Sequence, residues 1–184
     1  MEVRFRNDKT SKISEIAISR WSPGTPGIET LIWVIENNGL GSNVSGSQDT
    51  SLFLYGVTKK LNEDDIPEHL ADIFQGFRKK FERVYLAGYK INDMLSLIEE
   101  TWVLPRGIRT IDTEKVWQAQ HHGLAELSFE ECVERTPQLR EHDSSLSNAG
   151  NKAWLEIQLL RVLAEGDSLA SEGVRFQEAE EASA

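Results

Sequence analysis

The 184-residue chain has a single cysteine, Cys132. A disulfide within it is excluded, and no zinc site with Cys-His spacing can be assembled. Long apolar runs are also missing. None approaches the roughly 20 residues of a membrane-spanning helix, so no membrane role is expected. The opening MEVRFRNDKTSK has no apolar stretch of the signal-peptide kind. A reducing compartment, cytoplasm or nucleus, is the expected location. Basic charge is scarce as well: Lys and Arg total 20 against 30 Asp and Glu, a formal net charge of −10. Affinity for nucleic acid rests on cations that meet phosphates, so this balance disfavours nucleic acid as a partner and favours protein. The tail FQEAEEASA adds acid without base, yet the body is acidic without it.

The remaining composition is that of a globular domain: 39% hydrophobic and 27% charged residues. No repeat or interdomain linker interrupts it. Three regions are expected: an N-terminal extension at 1–27, a domain at 28–167, and an acidic disordered tail at 168–184. Within the extension, IAISRW suits a short strand and SPGTPG a turn-rich loop. Leu31 to Ile35 is a continuous apolar run suited to a strand buried on both faces. SLFLYGVTKK reads as a second strand, and the Gly/Ser/Asn-rich stretch between them predicts an antiparallel hairpin. NEDDIPEHLADIFQGFRKKF predicts a helix with Leu70, Ile73, Phe74, Phe77 and Phe81 on its apolar stripe. RVYLAGYKI predicts a strand, and NDMLSLIEETW a helix capped by Asn92 or Asp93. RTID predicts another strand. SFEECVERT predicts a short helix with Ser128 as N-cap and Glu131 completing a capping box. NAGNKAWLEIQLLRVLAEG predicts a final helix that ends at Gly166. This order points to a three-layer α/β domain with a mixed sheet.

Three segments carry a resemblance: LIWVIENNGL; LAGYKINDMLSL followed by RTIDTEKVW; and LSNAGNKAWLEIQLL. In order and spacing they resemble the DEDDh 3′–5′ exonucleases, DnaQ-like members of the ribonuclease-H-like superfamily, and most closely a fungal branch. The resemblance spans roughly residues 31–163. It implies a ribonuclease-H-like domain with a mixed five-stranded sheet flanked by helices. It also implies where the family's four metal-binding carboxylates and general-base histidine fall. The first-strand positions are Val34 and Glu36, the third carboxylate is at Met94 beside Asp93, the histidine is at Ser147, and the last carboxylate is at Lys152. Only Glu36 matches.

A two-metal nuclease clamps the scissile phosphate between two cations, and converging carboxylates offset their repulsion. Val34 and Met94 supply no oxygen ligand, and the Lys152 ammonium repels a cation. Glu36 facing Lys152 is expected to replace the metal with an ion pair. The resulting expectation is a pseudo-nuclease without a cofactor that acts as a protein-interaction module. The competing expectation is a divergent exonuclease using Mg²⁺ or Mn²⁺. It would rebuild the site from Glu36 and Asp93, recruit Asp49 or Asp143, and use His142 as base. A third is a binder of single strands that does not cut.

Other features read as structural. The adjacent His121–His122 cannot face one metal, Cys132 suits a core thiol, and Asp112 ends a strand. SPGTPG and GLGSNVSG match no phosphate-binding fingerprint. Arg78 to Arg83 is a solvated helix end. Among the five tryptophans, Trp102, Trp117 and Trp154 suit the core, while Trp21 and Trp33 are candidates for a partner surface.

Overall fold

The computed structural model describes residues 2–5, 13–22, 27–36, 55–100, 102–121, 127–140 and 148–181, with side chains described except at 2–5, 36 and 166–181. The larger sheet consists of β1 (Glu2–Phe5), β2 (Ile13–Arg20), β3 (Glu29–Glu36) and β4 (Val57–Asn62), side by side in that order. β1, β2 and β3 are antiparallel neighbours, and β4 runs parallel to β3 from Leu31↔Val57 to Glu36↔Asn62. After a 3-10 turn come α1 (Ile66–Lys80), β5 (Tyr85–Gly88), α2 (Ile91–Ile98), β6 (Arg109–Asp112), α3 (Thr113–Gln120), α4 (Phe129–Arg135) and α5 (Ala149–Glu181). β5 and β6 pair in parallel as a separate two-stranded sheet.

Side chains alternate between the faces of a strand. Ile16, Ile18, Trp33 and Ile35 therefore share a face, and they pack with Leu70 and Phe74 of α1 and with Leu86, Ile91 and Ile98. Ala17 and Ile32 point to the other face and meet Ala149 and Ala153 of α5. The larger sheet is thus covered by α1 on one side and α5 on the other. The second core patch joins Trp117, Phe129, Cys132 and Val133 to Leu155, Leu159 and Leu163 of α5.

Small residues let α5 approach the sheet. A Cβ on Gly150 would lie 2.2 Å from Ile32 Cδ1, inside van der Waals contact. Ala149, Gly150 and Ala153 of the third resemblance segment form the flat helix face that packs on β2 and β3. Asn148 caps the helix: its Oδ1 accepts from Asn151 N–H at 2.9 Å.

Several expectations need correction. The mixed α/β class stands, but a single five-stranded sheet does not: the described strands form sheets of four and two. Among the described residues β4 is an edge of the larger sheet, with both faces largely exposed and Lys59 and Lys60 upon it, the kind of charged edge that discourages a further strand. The expected hairpin is instead a parallel pair. The chain between Glu36 and Val57 is long enough for the crossover that parallel strands require, and strand periodicity does not distinguish the two directions. Residues 1–27, read as an extension, contribute β1 and β2 to the sheet. Gly166 does not end the last helix, and residues 168–181, expected to be disordered, belong to it. Glycine costs a helix interior only about 1 kcal/mol relative to alanine, and the Ala, Leu and Glu around it favour helix. Neither Asn92 nor Asp93 caps α2. The cap position is Lys90, in the left-handed region at φ 49°.

Candidate functional site

The positions that the resemblance assigns to metal binding lie on β3, α2 and α5. Glu36 ends β3 opposite Asn62 of β4. Val34 is half-buried, flanked in register by Glu15 of β2 and Lys60 of β4. Glu15 reaches α5, where its Oε2 accepts from Ala149 N–H at 3.0 Å. A carboxylate at a helix N-terminus is stabilised by the helix dipole. β3 and the start of α5 are therefore joined through one residue of β2. Nothing in the spacing of the sequence marks Glu15 for this role.

Met94 is buried, 9% exposed, in the core patch beneath α1. Its Cε lies so close to Gly88 that a Cβ there would sit 2.7 Å away. Asp93, one residue earlier, is exposed in the first turn of α2. Its backbone N–H bonds Lys90 O at 2.9 Å. Lys152 does not need Glu36 for its ion pair, because its Nζ lies 2.6 Å from Glu130 Oε1 of α4. Burial pushes the Glu130 carboxyl up, but the Lys152 hydrogen bond, a backbone hydrogen bond and the Lys152 charge outweigh this, so its pKa falls below the ordinary range. Ser147, His142, Asp49, Asp143 and His122 lie outside the described residues. Among the described residues, no three His, Cys, Asp or Glu side chains are grouped as a metal would need.

A second polar cluster is more deeply buried. Glu156, 2% exposed, sits on α5. Its Oε1 accepts from Tyr89 N–H at 2.8 Å, and its Oε2 accepts from Thr113 Oγ1 at 3.0 Å. The Tyr89 hydroxyl lies against the Leu127 carbonyl and 3.2 Å from Glu114 Oε1, which is also 3.6 Å from Lys90 Nζ. Asp112 Oδ1 accepts from the backbone N–H of Glu114 and of Lys90, each at 3.2 Å, so it caps α3 and ties down the β5–α2 turn. Both Glu156 oxygens are occupied, so this cluster is organised to hold α5 to the β5–β6 sheet rather than to present a reactive group. Burial, followed by the charges of Glu114 and Cys132, raises the Tyr89 pKa. Burial first, then the charges of Glu114, Glu131 and Glu156, pushes the Cys132 thiol up to about 11, a thiol kept protonated and unreactive. Glu156 sits within the apolar run WLEIQLL, where spacing gives no sign of a buried polar anchor.

Trp102 and Trp117 are buried as expected, and Trp154 is partly buried and stacked on Tyr55 at 3.9 Å. Trp21 is 42% exposed. Trp33 is the exception to the expectation: it is 2% exposed and in edge contact with His69. His121 stacks on Trp117 within its own helix end. Among the described residues, no helix is long and apolar enough to cross a membrane. Comparison with family models, with curated proteins and with solved structures finds no match to this chain.

Proposed function

We propose that this chain is a degenerate relative of the DEDDh exonucleases in which a ribonuclease-H-like scaffold serves as a protein-interaction module without nuclease chemistry. The mixed sheet covered on both faces supports this reading, as does α5 crossing it at the AGNKA segment. The observation that carries it is the use made of the resemblance positions. Met94 is packed into the core, and Lys152 is bound to Glu130. A metal ion bound at Met94 would have to displace an apolar side chain from the core, and one bound at Lys152 would have to displace an ammonium from its carboxylate. The exposed Trp21 is the aromatic side chain such a module would offer to a protein.

The test is a degradation assay on end-labelled single-stranded DNA and RNA with Mg²⁺ and with Mn²⁺. The proposal expects intact strands in every case. Trimming from the 3′ end that Glu36→Ala abolishes would establish the divergent exonuclease instead.

A further inference from the structure

A cleft of about 390 Å³ lies at the opposite end of β3 from Val34 and Glu36, lined by Arg20, Ser22, Gly27, Ile28, Glu29, Lys80 and Phe81. It is distinct from the resemblance positions. Glu29 opens β3 and Glu36 closes it, a separation of roughly 23 Å at about 3.3 Å per residue. Its volume falls within the roughly 300–1,000 Å³ typical of small-molecule sites.

The lining sets two cations, Arg20 and Lys80, beside one aromatic ring, Phe81, and further rings lie near the cations. The Arg20 guanidinium lies 6.0 Å from the centroid of Phe77, and the Lys80 ammonium 5.6 Å from that of Phe81. Trp21, next to Arg20 in the chain, is 42% exposed, with the Arg161 guanidinium 5.7 Å from its ring. Two local explanations account for part of this arrangement. Lys80 in the last turn of α1 offsets the helix dipole, and Arg20 pairs with Glu29 across the strands. Neither requires an aromatic wall or a cleft. The Arg20–Glu29 pair is also 40% and 63% exposed, so it is weak and an incoming anion can compete for Arg20. The chain as a whole carries −10, whereas at this spot two cations face one carboxylate, a local surplus that favours an anion.

We propose that this cleft binds a small phosphate-bearing molecule with a planar ring, the chemistry of a mononucleotide. Lys80 and Arg20 hold the phosphate, and the ring packs on Phe81. The same chemistry is presented by a free nucleotide and by the end of a single strand. The proposal rests on no part of the exonuclease resemblance.

The test is calorimetry on the full chain with adenosine monophosphate, adenosine, inorganic phosphate and a five-residue oligodeoxyadenylate. Adenosine monophosphate is expected to bind with a Kd on the order of 0.1 mM, with adenosine and phosphate each at least about tenfold weaker. Lys80→Glu, at an exposed position that leaves the core intact, is expected to weaken binding by about tenfold or more. Phe81→Leu is expected to weaken adenosine monophosphate more than phosphate. An oligonucleotide that binds at least as tightly as the mononucleotide and competes with it identifies a strand end as the source. An oligonucleotide that fails to compete identifies the free nucleotide. Absence of binding by both, or wild-type affinity in Lys80→Glu, overturns the proposal.

Discussion

The Lys152 ammonium lies 2.6 Å from a carboxylate oxygen of Glu130, so the cation standing where the exonuclease resemblance puts a metal-binding carboxylate is neutralised by the neighbouring helix α4. The pair is partly exposed, at 22% for Lys152 and 47% for Glu130, so solvent screens it. A double-mutant cycle of Lys152→Met and Glu130→Gln should return a coupling of about 0.5–1 kcal/mol, the upper part of the range for such pairs.

The same pair makes stability depend on pH. The Glu130 carboxyl lies below its ordinary value of 4.5. A carboxyl lowered in the folded state adds stability above its unfolded pKa and loses it as the pH falls through the folded one. Glu131 acts in the same direction, lowered first by the Ser128 backbone hydrogen bond. Denaturation midpoints should therefore fall as the pH drops below about 4.5, and the decline should be shallower in Lys152→Met. An equal decline in both proteins would remove Lys152 from the explanation.

Gly150 is expected to tolerate no side chain. Its Cβ would meet Ile32 Cδ1 at 2.2 Å and Cγ1 at 2.6 Å, and Ile32 is fully buried. Gly150→Ala should cost about 1–3 kcal/mol in urea unfolding despite alanine's better helix propensity. Adding Ile32→Ala removes both clashing atoms, so the double variant should be less destabilised than the sum of the single variants. Simple additivity would mean that α5 shifts rather than clashes.

Glu156 anchors α5 to the smaller sheet. Glu156→Ala leaves Tyr89 N–H and the Thr113 hydroxyl without that acceptor in the interior and should cost about 3 kcal/mol. Glu156→Gln keeps one acceptor oxygen and should cost less. Equal losses would show that packing, not hydrogen bonding, dominates at this position.

Local chemistry was the legible part of the fold. The Ser128–Glu131 capping box forms as the residue types dictate, with Glu131 N–H bonding Ser128 Oγ at 3.2 Å and Ser128 N–H bonding Glu131 Oε2 at 2.7 Å. Leu70 and Phe74 of α1 are buried because helical spacing turns them to one side. What stayed hidden is non-local. IAISRW is legible as a short strand, but its start at Ile13 is not, because Ser14 and Glu15 interrupt the apolar pattern, and Glu15 has its purpose only where Ala149 arrives. The parallel direction of β4 depends on where the chain crosses over, which alternation along a strand does not encode. The burial of Trp33 depends on α1 covering that face of β3, which the local sequence does not encode. At the candidate site, it could be read directly from the residue types that Met94 and Lys152 offer no oxygen ligand to a cation. Their partners Gly88 and Glu130 could not, since each contact needs the fold to bring it together.

The central claim is that the positions of the resemblance no longer hold a metal. Isothermal titration of the full chain with Mn²⁺ at neutral pH, beside Glu36→Ala, tests it most directly. The account predicts no saturable heat in either protein. Saturable binding in the wild type that disappears in Glu36→Ala would contradict it and restore the metal-dependent nuclease.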